Sequence, residues 1–254
     1  EDFICEVFEN KCTFQMDFSK VYWNSRLEAE HKRVIDLLDP TKHVLADGFA
    51  GVGPFTIPYA KRVSTAINER KKLKQSPLQN VTIYANDLNP SSVEYLKSNV
   101  KLNKATDHVQ SSCLCAREFL QKLVKEKIGF THFVMNFPAG APEFLDEFRG
   151  LYASWDGENV EMPIVLCYCF AREELCPSQP LARAARTLYG IANGENTPLN
   201  YSTDLTLEQS DDQAVLERTQ FDKIASVRLV RNIAPKKWHV CVSFQLPKQI
   251  AFAK

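Results

Sequence analysis

The chain has 254 residues, 44% of them hydrophobic and 24% charged, with Lys plus Arg and Asp plus Glu balanced at 31 each. That length allows one large domain or two small ones with a sizeable core, and the charge balance excludes a whole-molecule pull on a polyanion. No run of about 18 uncharged apolar residues is present to span a bilayer, and "EDFICEVFEN" has neither the basic start nor the apolar stretch of a secretion signal.

A soluble, intracellular protein of cytoplasm, nucleus or mitochondrion is therefore expected. The first residue is Glu1 rather than Met, so the chain reads as a fragment or a processed form. "CEVFENKCTFQMDFSKVYWN" predicts a β-hairpin turning at "ENK" and leading to Tyr22 and Trp23, a small β-rich layer over residues 1–24. "SRLEAEHKRVIDLL" predicts a helix. "HVLADGF" predicts a strand that breaks at "DGFAGVGPF", residues Asp47 to Phe55, before a helix begins at "TIPYAK". Residues 64–80 read as a polar insertion.

"VTIYANDL" is the next strand, and "NPSSVEYLKSNVKLNK" the next helix, opened by Pro90 and two serines and carried by Val93, Leu96 and Val100 at helical spacing. "THFVMNF" and "MPIVLCYCF" are further strands, and 171–207 is a long segment of weak pattern. "ASVRLVRNIAP" and "WHVCVSFQLP" lie too close for a helix between them and predict an antiparallel hairpin. Strands alternating with helices mean parallel βαβ units and an α/β fold.

The eight cysteines, among them the pairs Cys113/Cys115 and Cys167/Cys169, are spaced as CxC rather than CxxC, and read as reduced core residues, not as a metal site or disulfide framework. Basic clusters at Lys61 and Arg62, at "ERKKLK" (69–74) and at "RLVRNIAPKKW" (228–238) read, by themselves, as solvated faces.

Three motifs carry chemistry. Gly51 and Gly53, at the carboxyl end of the first parallel strand, let a ligand approach the backbone. A third glycine is missing and Pro54 and Phe55 stand in its place, which disfavours a pyrophosphate cradle. Asp87 ends the second strand, where a carboxylate can take ribose hydroxyls; its competing role is to cap the next helix together with Asn89. A nucleoside cofactor without a pyrophosphate points to S-adenosylmethionine. Asn136, two residues before Pro138, can meet a nucleobase edge as donor and acceptor, or cap the following helix.

With "FSKVYWNSRLEAEHKR" upstream and "RNIAPKKWHVCVSFQLP" downstream, these motifs resemble the tRNA (guanine 37 N1) methyltransferase family of archaea and eukaryotes, from about Cys12 to Pro247. The resemblance implies a class I methyltransferase fold, Rossmann-like, over residues 25–254, with a seven-stranded sheet whose last strand is antiparallel. The family's further N-terminal tRNA-recognition domain is expected to be absent here. It implies S-adenosylmethionine as cofactor, tRNA as partner, and no metal; a monomer is expected.

Carried over by residue, Glu30 is the general base, and Asn136 contacts substrate and cofactor. His31, Phe49, Gly51, Gly53, Asp87, Leu88, Cys115 and Ala116 fall at cofactor positions, with Cys115 replacing the acidic residue the family often has there. Arg26, Pro138, Lys236 and Lys237 are expected on the substrate side, and the arginine that the family uses near the guanine oxygen has no match here. The chemistry agrees: guanine N1 carries a proton, so its methylation needs a base. Glu30 would take it, and Asn136 would hold O6 as negative charge grows there. Glu30 has a competing role as a helix-surface partner of Arg26 or Arg33.

Other readings are weaker or need the pocket to separate them. An amino-group methyltransferase is disfavoured because "NFPA" lacks the second proline and the aromatic of such sites. An aminocarboxypropyl transferase acting on a modified tRNA guanine shares the fold, and Cys115 keeps open a non-catalytic RNA-binding descendant.

Overall fold

The N-terminal hairpin forms as its sequence predicts. In the computed structural model, which describes residues 3–76, 81–156, 159–190 and 220–254, β1 (Ile4–Glu9) pairs antiparallel with β2 (Cys12–Asp17). The turn residues Asn10 and Lys11 both have positive φ, 49° and 63°, the twist that a two-residue hairpin turn favours. One face of β2 buries Cys12, Phe14 and Met16.

The outer edge of β2 is closed by side chains. Asn99 Oδ1 accepts the Gln15 N–H at 2.8 Å and Asn103 Oδ1 accepts the Thr13 N–H at 3.0 Å. Their amide groups donate back to the Gln15 and Thr13 carbonyls at 3.1 and 2.7 Å. Asn99 and Asn103 are one turn apart on α3 (Pro90–Leu102) and its C-cap, so a helix supplies what a third strand would.

By contacts the chain divides into two compact units, Glu1–Val134 and Met135–Lys254. In the first, α1 (Glu28–Leu37) precedes β3 (Leu45–Asp47), α2 (Thr56–Lys72), β4 (Ile83–Asn86), α3, β5 (Val109–Ser112), α4 (Ala116–Lys125) and β6 (His132–Met135). β3 pairs in parallel with β4 and β6, and β4 with β5. Asn89 caps α3 by accepting the Ser91 N–H at 3.0 Å, with Pro90 in the first turn, as the sequence indicates.

The second unit holds β7 (Ile164–Arg172), α5 (Ser178–Tyr189), β8 (Ala225–Ala234) and β9 (Lys237–Gln245). β9 is antiparallel to both β7 and β8. The sheet order is β5-β4-β3-β6-β7-β9-β8, so the strand last in sequence is inserted antiparallel, as expected for the fold.

Three expectations change. Residues 64–72 are not an insertion: α2 continues to Lys72, because Glu69, Arg70 and Lys71 are good helix formers and the apolar pattern fades only where the helix leaves the core. Residues 77–80 of that stretch lie outside the described residues. Within 171–207, Ser178–Tyr189 is helical, burying Leu181, Ala184, Ala185 and Leu188, and ends at Gly190 with φ 70°; 191–207 lies outside the described residues. All eight cysteines are free thiols, but only Cys12, Cys167, Cys169 and Cys241 are buried. Burial pushes the Cys12 thiol up to about 11 and Cys169 to about 12, which makes them inert packing residues. Cys113 is exposed, and Cys5, Cys115 and Cys176 are half-buried, so the core reading fails for these four. No helix among the described residues is long and apolar enough to cross a membrane.

Candidate active site

The carboxyl ends of β3, β4 and β5 bring the glycine turn, Asp87 and Cys115 to one edge of the first unit. Two side chains tie these loops together. Asp87 Oδ2 accepts the Gly51 N–H at 2.8 Å and its Oδ1 accepts the Asn89 N–H at 2.9 Å. The helix-entry role read from the sequence is present, and the same carboxylate also steadies the glycine turn. Burial raises the Asp87 carboxyl above the usual range, and its two backbone hydrogen bonds oppose that rise.

The second tie is Asn86, fully buried, to which sequence reasoning assigns nothing. Its Nδ2 donates to the carbonyls of Gly48 (3.3 Å) and Leu114 (2.9 Å), and its Oδ1 accepts from Ser112 Oγ and Leu114 N–H, both at 3.0 Å. One amide therefore fixes the loops after β3 and β5 from the strand between them. The only sequence signal is a polar residue closing the apolar run "VTIYA".

The two glycines differ. Gly51 has φ +54° and nothing within 4 Å of where a Cβ would sit, so its open side faces a space. Gly53 has φ +99°, and a Cβ there would lie 2.8 Å from both Ile57 Cδ1 and Leu96 Cδ1. Packing rather than ligand approach demands glycine at 53.

Asp47, at the end of β3, is fully buried; its Oδ1 accepts the Phe49 N–H at 3.2 Å and its Oδ2 has no hydrogen-bond partner among the described residues. Burial pushes this carboxyl up to about 8, with the neighbouring Asp87 adding to the rise. Trp23 Nε1 and Thr56 Oγ1 are likewise buried without partners among the described residues. Buried polar atoms without protein partners are rare in folded chains, and a water, an ion or a ligand can complete them. Leu88, beside Asp87, is 70% exposed, an apolar surface on which a flat ring can rest. Cys115 is the N-cap of α4 and makes no side-chain capping bond, and Ala116 behind it is buried.

On α1, Glu30 is buried at 5% exposure, and Arg33 grips it with both ends of its fork, Nε to Oε2 at 2.8 Å and Nη2 to Oε1 at 2.6 Å. The competing partner read from the sequence is thus present, but in a buried setting rather than on a helix surface. Arg26 is exposed on the turn before α1, its backbone N–H held by Asn24 Oδ1 at 3.2 Å. His31 is buried as well: its Nδ1 lies 2.6 Å from Glu9 Oε1, and its ring meets Phe55 edge-on at 4.7 Å. Glu9 has no local sequence signal, because it sits 22 residues away at a hairpin turn.

In the second unit, Asn136 follows the last residue of β6, and its buried Oδ1 has no hydrogen-bond partner among the described residues. Pro138 is half-buried beside it in sequence. Lys236, at φ 57°, lies in the β8–β9 turn and Lys237 opens β9; both are exposed, and Lys237 Nζ stands 4.9 Å over the Phe170 ring. Among the described residues, no group of three or more His, Cys, Asp or Glu is arranged to hold a metal.

The sheet order, the antiparallel last strand and this loop edge define a class I methyltransferase fold. The model of the TRM5/TYW2 methyltransferase domain matches residues 5–188, and the chain belongs to that family. A tRNA (guanine(37)-N(1))-methyltransferase of Phytophthora infestans is 40% identical over 253 residues, covering 100% of this chain and 50% of that protein. The chain spans about half the length of the curated relatives it matches. Among solved structures, a Methanocaldococcus jannaschii tRNA m1G37 methyltransferase superposes with a TM-score of 0.61 at 21% identity, covering 97% of this chain and 57% of that one. The M. jannaschii TYW2 structure in complex with AdoMet gives 0.59 at 20%, covering 96% and 86%.

Proposed function

We propose that this chain is the catalytic part of a tRNA methyltransferase that places a methyl group from S-adenosylmethionine on N1 of guanine 37. The observation that carries the reading is the edge where Asp87, held to Gly51 N–H at 2.8 Å, stands near the orphaned carboxylate oxygen of Asp47 in the first unit. That edge fits S-adenosylmethionine. Asp87 has lone pairs left for ribose hydroxyls after its two backbone bonds, Asp47 Oδ2 lacks a donor that an ammonium can supply, and Gly51 leaves its side open.

When bound, the cofactor would supply a methyl carbon activated by its sulfonium, with the neutral thioether as the leaving group. The chain's own residues prepare the other partner. Glu30 accepts the proton on guanine N1, which frees the lone pair; for this it leaves one arm of the Arg33 fork. Asn136 donates from Nδ2 to guanine O6, where charge accumulates as the proton departs. His31, Phe49, Leu88, Cys115 and Ala116 complete the cofactor side. Arg26, Pro138, Lys236 and Lys237 serve the RNA side, the cations through phosphates. The protein acts as a monomer on tRNA, inside the cell.

The test is incubation with unmodified tRNA transcripts and labelled cofactor, followed by nucleoside mapping. Label recovered as 1-methylguanosine at position 37 is expected. Methyl label at another nucleoside, transfer of an aminocarboxypropyl group instead, or cofactor binding without any transfer would overturn the proposal.

A further inference from the structure

The Glu9–His31 contact joins the N-terminal hairpin to the helix that carries Glu30. Both side chains are almost wholly inaccessible, 2% for Glu9 and 4% for His31, and the Nδ1–Oε1 distance is 2.6 Å. Glu9 Oε1 also accepts from Asn10 Nδ2 at 3.3 Å, and the imidazole is walled by Phe55 at 4.7 Å and Trp23 at 6.4 Å between ring centroids. Removing a carboxylate and an imidazole from water is expensive, and apolar residues of similar volume would hold the hairpin to α1 at lower cost. The pair therefore has a use other than adhesion.

A carboxylate has only acceptors to offer, so His31 must meet it with Nδ1–H. This fixes both the ring's orientation and which nitrogen is left: Nε2 faces away from Glu9 and is the acceptor when the ring is neutral. We infer that Glu9 is a positioning residue that sets the tautomer of His31, so that Nε2 accepts a hydrogen bond from the cofactor; the inference rests on the cofactor reading of this edge. The hairpin is then part of the cofactor site, held there by α3 through Asn99 and Asn103. A carboxylate or an amide oxygen at position 9 can do this; an aliphatic side chain cannot.

The test uses the whole chain. Nitrogen-detected imidazole spectra of the wild type should show His31 protonated at Nδ1; an unprotonated Nδ1 would overturn the inference even if no variant folds. Calorimetry with S-adenosylhomocysteine should show Glu9→Ala weakened about tenfold or more, as expected for a charge-assisted bond lost at one remove, with the tautomer shifted. Glu9→Gln, whose amide oxygen still accepts, should bind within about threefold of wild type, well under 1.4 kcal/mol. Glu9→Ala binding like the wild type would overturn the inference. If the wild type fails to bind S-adenosylhomocysteine, the cofactor reading falls and takes this inference with it; binding with His31 protonated only at Nε2 removes this inference alone.

Discussion

Asp87 and Gly51 are 36 residues apart in sequence, yet the carboxylate of one accepts the backbone N–H of the other at 2.8 Å. Through that bond the loop after β4 sets the shape of the loop after β3. Asp87→Asn keeps one acceptor but turns an amide N–H₂ toward a backbone donor. The expected result is a loss of about 1–2 kcal/mol in stability and at least about a tenfold weaker grip on S-adenosylhomocysteine, read by urea unfolding and calorimetry. Affinity equal to wild type would exclude Asp87 from the cofactor site.

The glycines of the same turn separate packing from approach. Gly53→Ala places a methyl group 2.8 Å from Ile57 and Leu96 at φ +99°, so it should cost about 2–3 kcal/mol in stability. Gly51→Ala meets no atom within 4 Å, at φ +54°, so it should cost only about 1 kcal/mol while lowering cofactor affinity. Comparing chemical unfolding with ligand titration for both variants checks this; the opposite ranking in stability would refute the packing argument.

Buried Asp47 gives a pH dependence. Its carboxyl is raised from 3.8 to about 8 in the folded chain, so its contribution to stability is fully present below the unfolded value. It is lost as pH rises through about 8. Asp47→Asn keeps an acceptor for Phe49 N–H and carries no charge. The variant should therefore melt higher than wild type at pH 8.5 by about 5 °C, with a smaller gap at pH 5. It should also bind the cofactor less well, since the amide nitrogen that replaces Oδ2 offers no acceptor. A melting difference independent of pH would show that Asp47 does not titrate in this range.

Much of this was legible in the sequence because it is local. Hairpin turn, helix caps and strand runs follow from neighbouring residues: Asn10–Lys11, Asn89–Pro90 and "VTIYAN" each state their own geometry. Gly51, Asp87 and Asn136 stand out in the sequence because they close strands, where the fold puts ligands. What stayed hidden is non-local. Asn86 ties loops together through Gly48 and Leu114, and Glu9 finds His31 across 22 residues; neither partner is encoded in a short pattern. The C-terminal half of α2 was misread for a different reason: a solvated helix has no apolar period to see.

The most decisive variant concerns Glu30. Its carboxylate is gripped at 2.8 and 2.6 Å by Arg33, so the group assigned to remove a proton is held in place before any substrate arrives. Glu30→Gln preserves the shape and one acceptor for the guanidinium, removes the ability to take a proton, and turns an amide N–H₂ toward the other arm of the Arg33 fork, at a cost of about 1–3 kcal/mol in stability. The chain should still fold, and calorimetry should give the wild-type affinity for S-adenosylhomocysteine, because Glu30 is assigned to the guanine and not to the cofactor. Methyl transfer to tRNA should fall at least about a hundredfold, the usual contribution of a general base. The single-turnover rate decides between the two roles this residue has been given. If it is unchanged, the ion pair with Arg33 is Glu30's whole task and the proton on guanine N1 goes elsewhere; if it falls while binding holds, the buried pair is a base held ready by its neighbour.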